Sequence, residues 1–327
     1  MESRSIFDLQ TPSGATLTVP QHRFGKASGD KSPHIAFVAG VRGDAPEGIR
    51  VAFRLMQALK DLEPSLEGVV DIYPCINPLA AEQGRRLWPG FDIDQNRQFP
   101  GDPQGHPPAR LGHQLMQALE GIDLLVELRG ARPGFVEVPH VMIRGSRVNN
   151  VVREGVTLLD IARQCNTPLV WQRTSGTKAN KTLANQFENV IVLEGGQGNR
   201  LTDDVGNVFA DGCLYLLTRT TVLPESLLPF PWMAMEDPVV LEDKQVERIR
   251  VNTAGLFLPS VRLGSVMQHG EEIGVVMDPK TSTPVETIHS TSNGIVIALR
   301  NQPVVSVGEL VARIQSTEQE WSKNDVR

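Results

Sequence analysis

The sequence predicts a doubly wound α/β fold followed by a smaller β-rich region, and three observations carry that reading. Short apolar runs of strand length recur through the first two-thirds of the chain. Stretches with apolar residues at helical spacing lie between them. Near Leu223 that alternation stops, and glycine-punctuated β-type runs take over.

Residues 34–41 (HIAFVAGV) form a continuous apolar run ending beside glycine, which suits a strand buried on both faces. In residues 46–62, Ile49, Ala52, Phe53, Leu55, Met56 and Leu59 recur at roughly helical spacing and predict an amphipathic helix. Residues 68–75 are the next strand and 112–119 the next helix. Residues 122–128 again have strand length, 151–165 read as a helix, and 189–193 (NVIVL) as another buried strand. Ligands of such sheets gather beyond the carboxyl ends of strands, and Arg42, Arg129 and Glu194 each follow the end of one of these runs. Pro224, Pro229, Pro231 and Pro238 mark a linker. Beyond it the runs 272–277, 294–299 and 302–307 predict a small β-domain. The expected organisation is an α/β domain over 1–235, a β-rich domain over 245–316 and a polar tail over 317–327.

Composition narrows the function. The net charge of −6 gives no electrostatic case for binding nucleic acid or anionic membrane. There is no run of about 18 apolar residues to span a bilayer, and residues 1–5 lack the apolar core of a signal peptide. Three scattered cysteines make neither a disulfide framework nor a metal spacing, so a reduced, cytoplasmic setting is expected.

The richest stretch is Asp92-Ile93-Asp94-Gln95-Asn96-Arg97-Gln98-Phe99-Pro100-Gly101. An amide beside a guanidinium fork can hold a carboxylate in two directions, and the Phe-Pro-Gly that follows fixes a turn. With Arg42-Gly43-Asp44-Ala45, Asn77-Pro78-Leu79-Ala80 through Arg85-Arg86, Asp123 to Gly130 (DLLVELRG) and Val192-Leu193-Glu194-Gly195-Gly196, this order resembles the succinylglutamate desuccinylase/aspartoacylase family. The resemblance implies a mixed sheet of zinc-carboxypeptidase type and an appended barrel-like β-domain. It also implies metal-assisted hydrolysis of an amide. By it, Glu194 takes the place of the general base, Arg86 that of the arginine near the oxyanion, and Asn96 and Arg97 that of the carboxylate clamp.

The three zinc-ligand positions of the resemblance are occupied here by Arg42, Ala45 and Arg129. A guanidinium has no free lone pair and cannot ligate zinc. No metal or other cofactor is therefore expected at these positions. One reading makes Arg42 and Arg129 substitutes for the metal's charge in a pocket that binds a small anion. Another makes them ordinary ion pairs with Asp44, Glu47 or Glu127. A third keeps a displaced metal on Asp44, Glu47, Glu127, His113 or His140, although His140, set between apolar residues in EVPHVMI, reads more simply as a satisfied strand histidine. The functional expectation is an N-acyl amino acid or similar small carboxylate as ligand, with zinc-dependent hydrolysis reduced or absent. Alternatives are an active deacylase or peptidase using Glu194, and a partner subunit of an active paralogue. Self-association is left open. Gly195-Gly196-Gln197-Gly198 reads as a strand-exit turn, and residues 174–181 as a polar loop in the place of a substrate lid.

Overall fold

A computed structural model describes residues 1–11, 14–27, 29, 32–174, 180–228 and 237–317. The expected lid loop falls mostly on 175–179, part of the linker on 229–236 and the tail on 318–327, all outside the described residues.

Two strands that the apolar pattern does not predict come first: β1 (Glu2–Gln10) and β2 (Thr16–Gly25), paired antiparallel. Most of β1 is exposed, so it lacks the continuous apolar signature of a buried strand. β3 (His34–Ala39), α1 (Pro46–Leu62), β4 (Val69–Tyr73), α2 (Pro78–Glu82), α3 (Pro107–Ala118) and β5 (Leu124–Leu128) follow, with α1 matching its sequence expectation to the residue. Next is β6 (Phe135–Arg144). Residues 151–165, expected as one helix, hold the short hairpin β7 (Val151–Arg153) and β8 (Val156–Thr157) before α4 (Leu158–Arg163). Glu154 and Gly155 both have positive φ (47° and 82°), a tight turn through which no α-helix passes. Thr157 and Asp160 then cap α4 reciprocally. β9 (Leu169–Arg173), β10 (Val190–Gln197) and α5 (Asp203–Arg219) complete this part. β10 runs through Gly195 and Gly196, so the expected exit turn begins later.

β11 (Val239–Glu242) pairs with β9. Then come β12 (Val246–Arg250), β13 (Gly255–Pro259), β14 (Val266–Met267), β15 (Glu272–Asp278), β16 (Thr283–His289), β17 (Gly294–Arg300), β18 (Val304–Val305) and β19 (Leu310–Ser316). The large sheet has the order β1-β2-β4-β3-β5-β10-β6-β17-β19-β12. β3 is parallel to β4 and β5, and β10 to β5, whereas β6 is antiparallel to β10 and to β17. Strands beyond residue 245 thus continue the sheet. A second sheet, β16-β15-β13-β18, closes over Phe257, Ile273, Val276, Val296 and Ile314.

Period-2 alternation explains why both faces of the large sheet are covered. Ile35, Phe37 and Ala39 of β3 pack with Val51, Leu55 and Leu59 of α1 and Phe209 of α5. Ala36 and Val38 face the opposite cluster, with Leu111 and Leu115 of α3. Each fully buried large side chain of this kind contributes about 1.5–3 kcal/mol. Among the described residues no helix is long and apolar enough to cross a membrane.

Candidate functional site

The parallel strands set the site. Val190 and Val192 share one face of β10, and the same alternation carries Glu194 onto that face at the carboxyl end. Arg42 leaves β3 through a loop in which Gly43 is obligatory: a Cβ there would lie 2.1 Å from the backbone carbon of Ala80. Arg129 follows β5, and its backbone N–H donates to the Leu193 carbonyl at 2.8 Å, joining two strand ends.

The Asn96-Arg97 loop is held from below. Gln95, fully buried, accepts from Trp88 Nε1 at 2.9 Å and donates to the Pro108 carbonyl at 3.0 Å. Asp94 Oδ1 accepts from the Asn96 N–H, while Asp94 Oδ2 receives two bonds from Arg86 at 2.8 and 2.9 Å. Asn96 Oδ1 accepts from the Leu183 N–H at 3.1 Å, which leaves its amide nitrogen as the group to face a ligand.

All six residues singled out in the sequence (Arg42, Arg86, Asn96, Arg97, Arg129 and Glu194) line one cavity of about 330 Å³. Three further arginines, Arg132, Arg144 and Arg173, join them. Seven guanidiniums and a single carboxylate line this space. Arg132 comes from the loop after β5, Arg144 from the end of β6 and Arg173 from the end of β9. The only sequence signal for the last two is an arginine closing a strand-like run.

The arginines are not equally available. Arg42 binds Asp44 through Nε at 3.0 Å and Nη2 at 3.2 Å. Arg129 binds Glu127 through Nε and Nη2, both at 2.6 Å, and its Nη1 lies 3.6 Å from Glu194. These are the local ion pairs that one sequence reading offers. The same two side chains also face the cavity, so pairing and lining are not exclusive. Asp44 and Glu127 are each engaged through both oxygens in these forks. Arg86 keeps 42% of its side chain exposed and is turned to Asp94 at the rim. Burial opposes the charge of Arg129, but Glu127 and Glu194 outweigh it and raise its pKa. Burial pushes the Glu194 carboxyl up, yet Arg129 first, then His140, Arg42 and Arg313, hold it below the usual carboxylate range. Burial lowers the pKa of Arg132, with Arg313 adding to the effect. Burial also lowers that of Arg173.

Behind Glu194 the sequence expectation for His140 needs correction. His140 is 5% exposed, and its Nδ1 bonds the Val138 carbonyl at 2.8 Å, but Nε2 has no partner. Nearby Glu137 is 1% exposed; Arg313 Nη1 reaches its Oε1 at 3.2 Å and its Oε2 is unpartnered. Burial, and next the charge of Glu194, push the Glu137 carboxyl up.

The catalytic-domain profile described as Succinylglutamate desuccinylase/Aspartoacylase matches residues 31–219. An N-alpha-acetyl-L-2,4-diaminobutyric acid deacetylase of Halomonas elongata is 24% identical over 292 residues, covering 87% of this chain and 82% of that protein. A succinylglutamate desuccinylase/aspartoacylase from Rhodobacter sphaeroides superposes with a TM-score of 0.79 at 20% identity, covering 95% of this chain and 93% of the other. The product-bound ectoine utilization protein of Ruegeria pomeroyi gives 0.78 at 18% identity, with 95% and 93% covered. These two likenesses reach across both the α/β part and the terminal β-strands, and they show a common fold. A profile match over more than half of the chain identifies the lineage: the protein belongs to the Succinylglutamate desuccinylase/Aspartoacylase family, whose members hydrolyse amide C–N bonds.

Proposed function

We propose that the cavity binds a small carboxylate such as an N-acyl amino acid, and that hydrolysis by the family's zinc route is reduced or absent. The observation that carries this reading is the lining itself, seven guanidiniums against one carboxylate in a space suited to a small ligand. The zinc that the family implies does not fit the donors at positions 42, 45 and 129. Two are guanidiniums without a lone pair, each already donating twice to a neighbouring carboxylate, and the third is the methyl group of Ala45.

Asn96 Nδ2 and Arg97 are the groups placed to fork a carboxylate, with Arg132 on the wall for a second anionic group and Arg173 shared with Asp243 at 3.7 Å. Titration calorimetry on chelator-treated protein tests this with N-acetylated amino acids, dicarboxylates and inorganic phosphate. At least one carboxylate is expected to bind, about tenfold more weakly after Arg97→Ala and progressively more weakly as salt rises. Absence of binding by every probe at low salt would sink the reading.

One observation favours a second reading, an active deacylase. Glu194 is held ionised at the cavity wall by Arg129, the state a general base requires. Release of free amine from N-acetylated amino acids, abolished by Glu194→Gln, would establish that activity.

A further inference from the structure

The terminal wall of the cavity holds a cluster in which Glu194 is joined by two residues that the anion-binding reading does not use, Glu137 and His140. A His140 ring nitrogen and one carboxylate oxygen each from Glu137 and Glu194 lie within 4.8 Å of one another. The arrangement is built by an irregularity of the sheet. Glu194 pairs with His140, but Gly196 pairs with Glu137, so β6 holds one more residue than β10 between the two pairs. Glu137 and His140 are three apart and in a regular strand would face opposite sides. The extra residue turns both toward Glu194, the re-aiming that bulges perform beside functional sites. Pro139 sits in the bulge, where its missing N–H costs no ladder bond. Gly195 opposite is required because a Cβ would come within 2.6 Å of Pro139 Cα.

From this geometry we propose that Glu137, His140 and Glu194 hold a divalent first-row metal ion, Mn²⁺ or Zn²⁺, at a position distinct from residues 42, 45 and 129. Each ligand is fixed from behind. His140 Nδ1–H donates to the Val138 carbonyl, which leaves Nε2 with a lone pair. Arg313 donates to Glu137 Oε1, and Arg129 flanks Glu194 at 3.6 Å. Such outer partners are the usual company of metal-bound imidazole and carboxylate. On the inner side, Glu137 Oε2 and His140 Nε2 are buried without any partner, a costly state that a shared ion relieves. A void of about 10 Å³, enough for one water-sized species, adjoins Glu137 and His140. An atom centred among donors so spaced lies roughly 2.8 Å from each, and coordination at ~2.0–2.2 Å needs each side chain to close in by under about an ångström.

The surrounding charge permits this. Two carboxylates face the ion, against Arg313 paired with Glu137 and Arg132 further along the wall, and the charges of Arg42 and Arg129 are each matched by their own carboxylate, Asp44 and Glu127. Two oxygens and one imidazole nitrogen suit Mn²⁺ or Zn²⁺ better than Ca²⁺ or Cu⁺. The site goes beyond the anion-binding reading and does not depend on it.

The test is equilibrium dialysis of the chelator-treated full chain against Mn²⁺ and, separately, Zn²⁺, with elemental analysis of bound metal. One ion per chain is expected, with affinity at least tenfold lower in Glu137→Gln and in His140→Gln and unchanged in His113→Gln. In the unsubstituted protein, Mn²⁺ should broaden the His140 ring signals in NMR before those of His113, which needs no variant to fold. No uptake at millimolar metal, or affinity in both ligand variants equal to that of the parent, or unbroadened His140 signals would each overturn the site. Anion binding is measured without metal, so either result leaves that reading separately testable.

Discussion

Asp71 and Glu137 are both buried carboxylates that meet one arginine and one histidine, and the two groups differ in how far they are completed. Arg23 donates to both oxygens of Asp71 at 2.7 and 2.8 Å, and His34 Nε2 lies 2.7 Å from Oδ2. Both carboxylate oxygens of Asp71 are used. Around Glu137 the same residue types leave Glu137 Oε2, His140 Nε2 and Arg313 Nε without partners. A buried ion group that serves the fold closes on itself, because each unpaired polar atom costs about 1–3 kcal/mol. The group beside the cavity stays open, and that openness marks it as a place for something else to bind.

The sharpest way to break this contrast is to open a closed pair. Arg129→Met leaves Glu127, fully buried, without its guanidinium and removes the neighbour of Glu194. It should cost about 3–5 kcal/mol, read by urea denaturation at pH 7. A loss under about 1 kcal/mol would mean that the pair is not a structural element.

Next in size is Asp71. Burial pushes this carboxyl up, but the hydrogen bonds of Arg23 and His34 outweigh it and hold it at about 2. Because the folded value lies below the unfolded one, its stabilising effect is present above about pH 4. It is lost as pH falls toward 2. Asp71→Asn should therefore lower stability by about 2 kcal/mol at pH 7, with the difference from the parent shrinking below pH 4. A constant difference across that range would show that the hydrogen bonds, not the charge, carry the effect.

The smallest effect is expected at the open group. In chelator, Glu137→Gln should change stability by less than about 1 kcal/mol, since the amide oxygen can still accept from Arg313 while the burial cost and the repulsion from Glu194 that push this carboxyl up are removed. A loss as large as that at Asp71 would show Glu137 to be as structural as Asp71 and would erase the contrast.

Much of the cavity is legible in the sequence. Arg42, Arg129 and Glu194 follow apolar runs directly, so strand alternation and the rule that ligands gather at strand ends suffice to find them. Asn96 and Arg97 sit in a local motif whose loop is fixed by Asp94 and Gln95 within the same segment. Arg132, Arg144 and Arg173 are harder to see. β6 and β9 gain their places from pairing with β10, β17 and β11, partners distant in sequence. His140 is misread as satisfied because alternation alone cannot reveal a bulge. The clue present is Pro139 within a strand-like run, since proline inside a sheet points to an edge or a bulge. The β1–β2 hairpin escapes notice for a different reason, as its partly exposed strands lack the continuous apolar run of a buried one.

Arg313 belongs to β19, the last strand described, and meets Glu137 in β6 across 176 positions of chain. On the ribosome the chain emerges amino end first, and the acid appears long before the base that answers it. Until β17 docks on β6 and β19 on β17, Glu137 in the wall behind Glu194 lacks Arg313. The chamber is therefore finished last, and a chain stopped short of residue 313 would display the strands of the site without a sealed wall behind them.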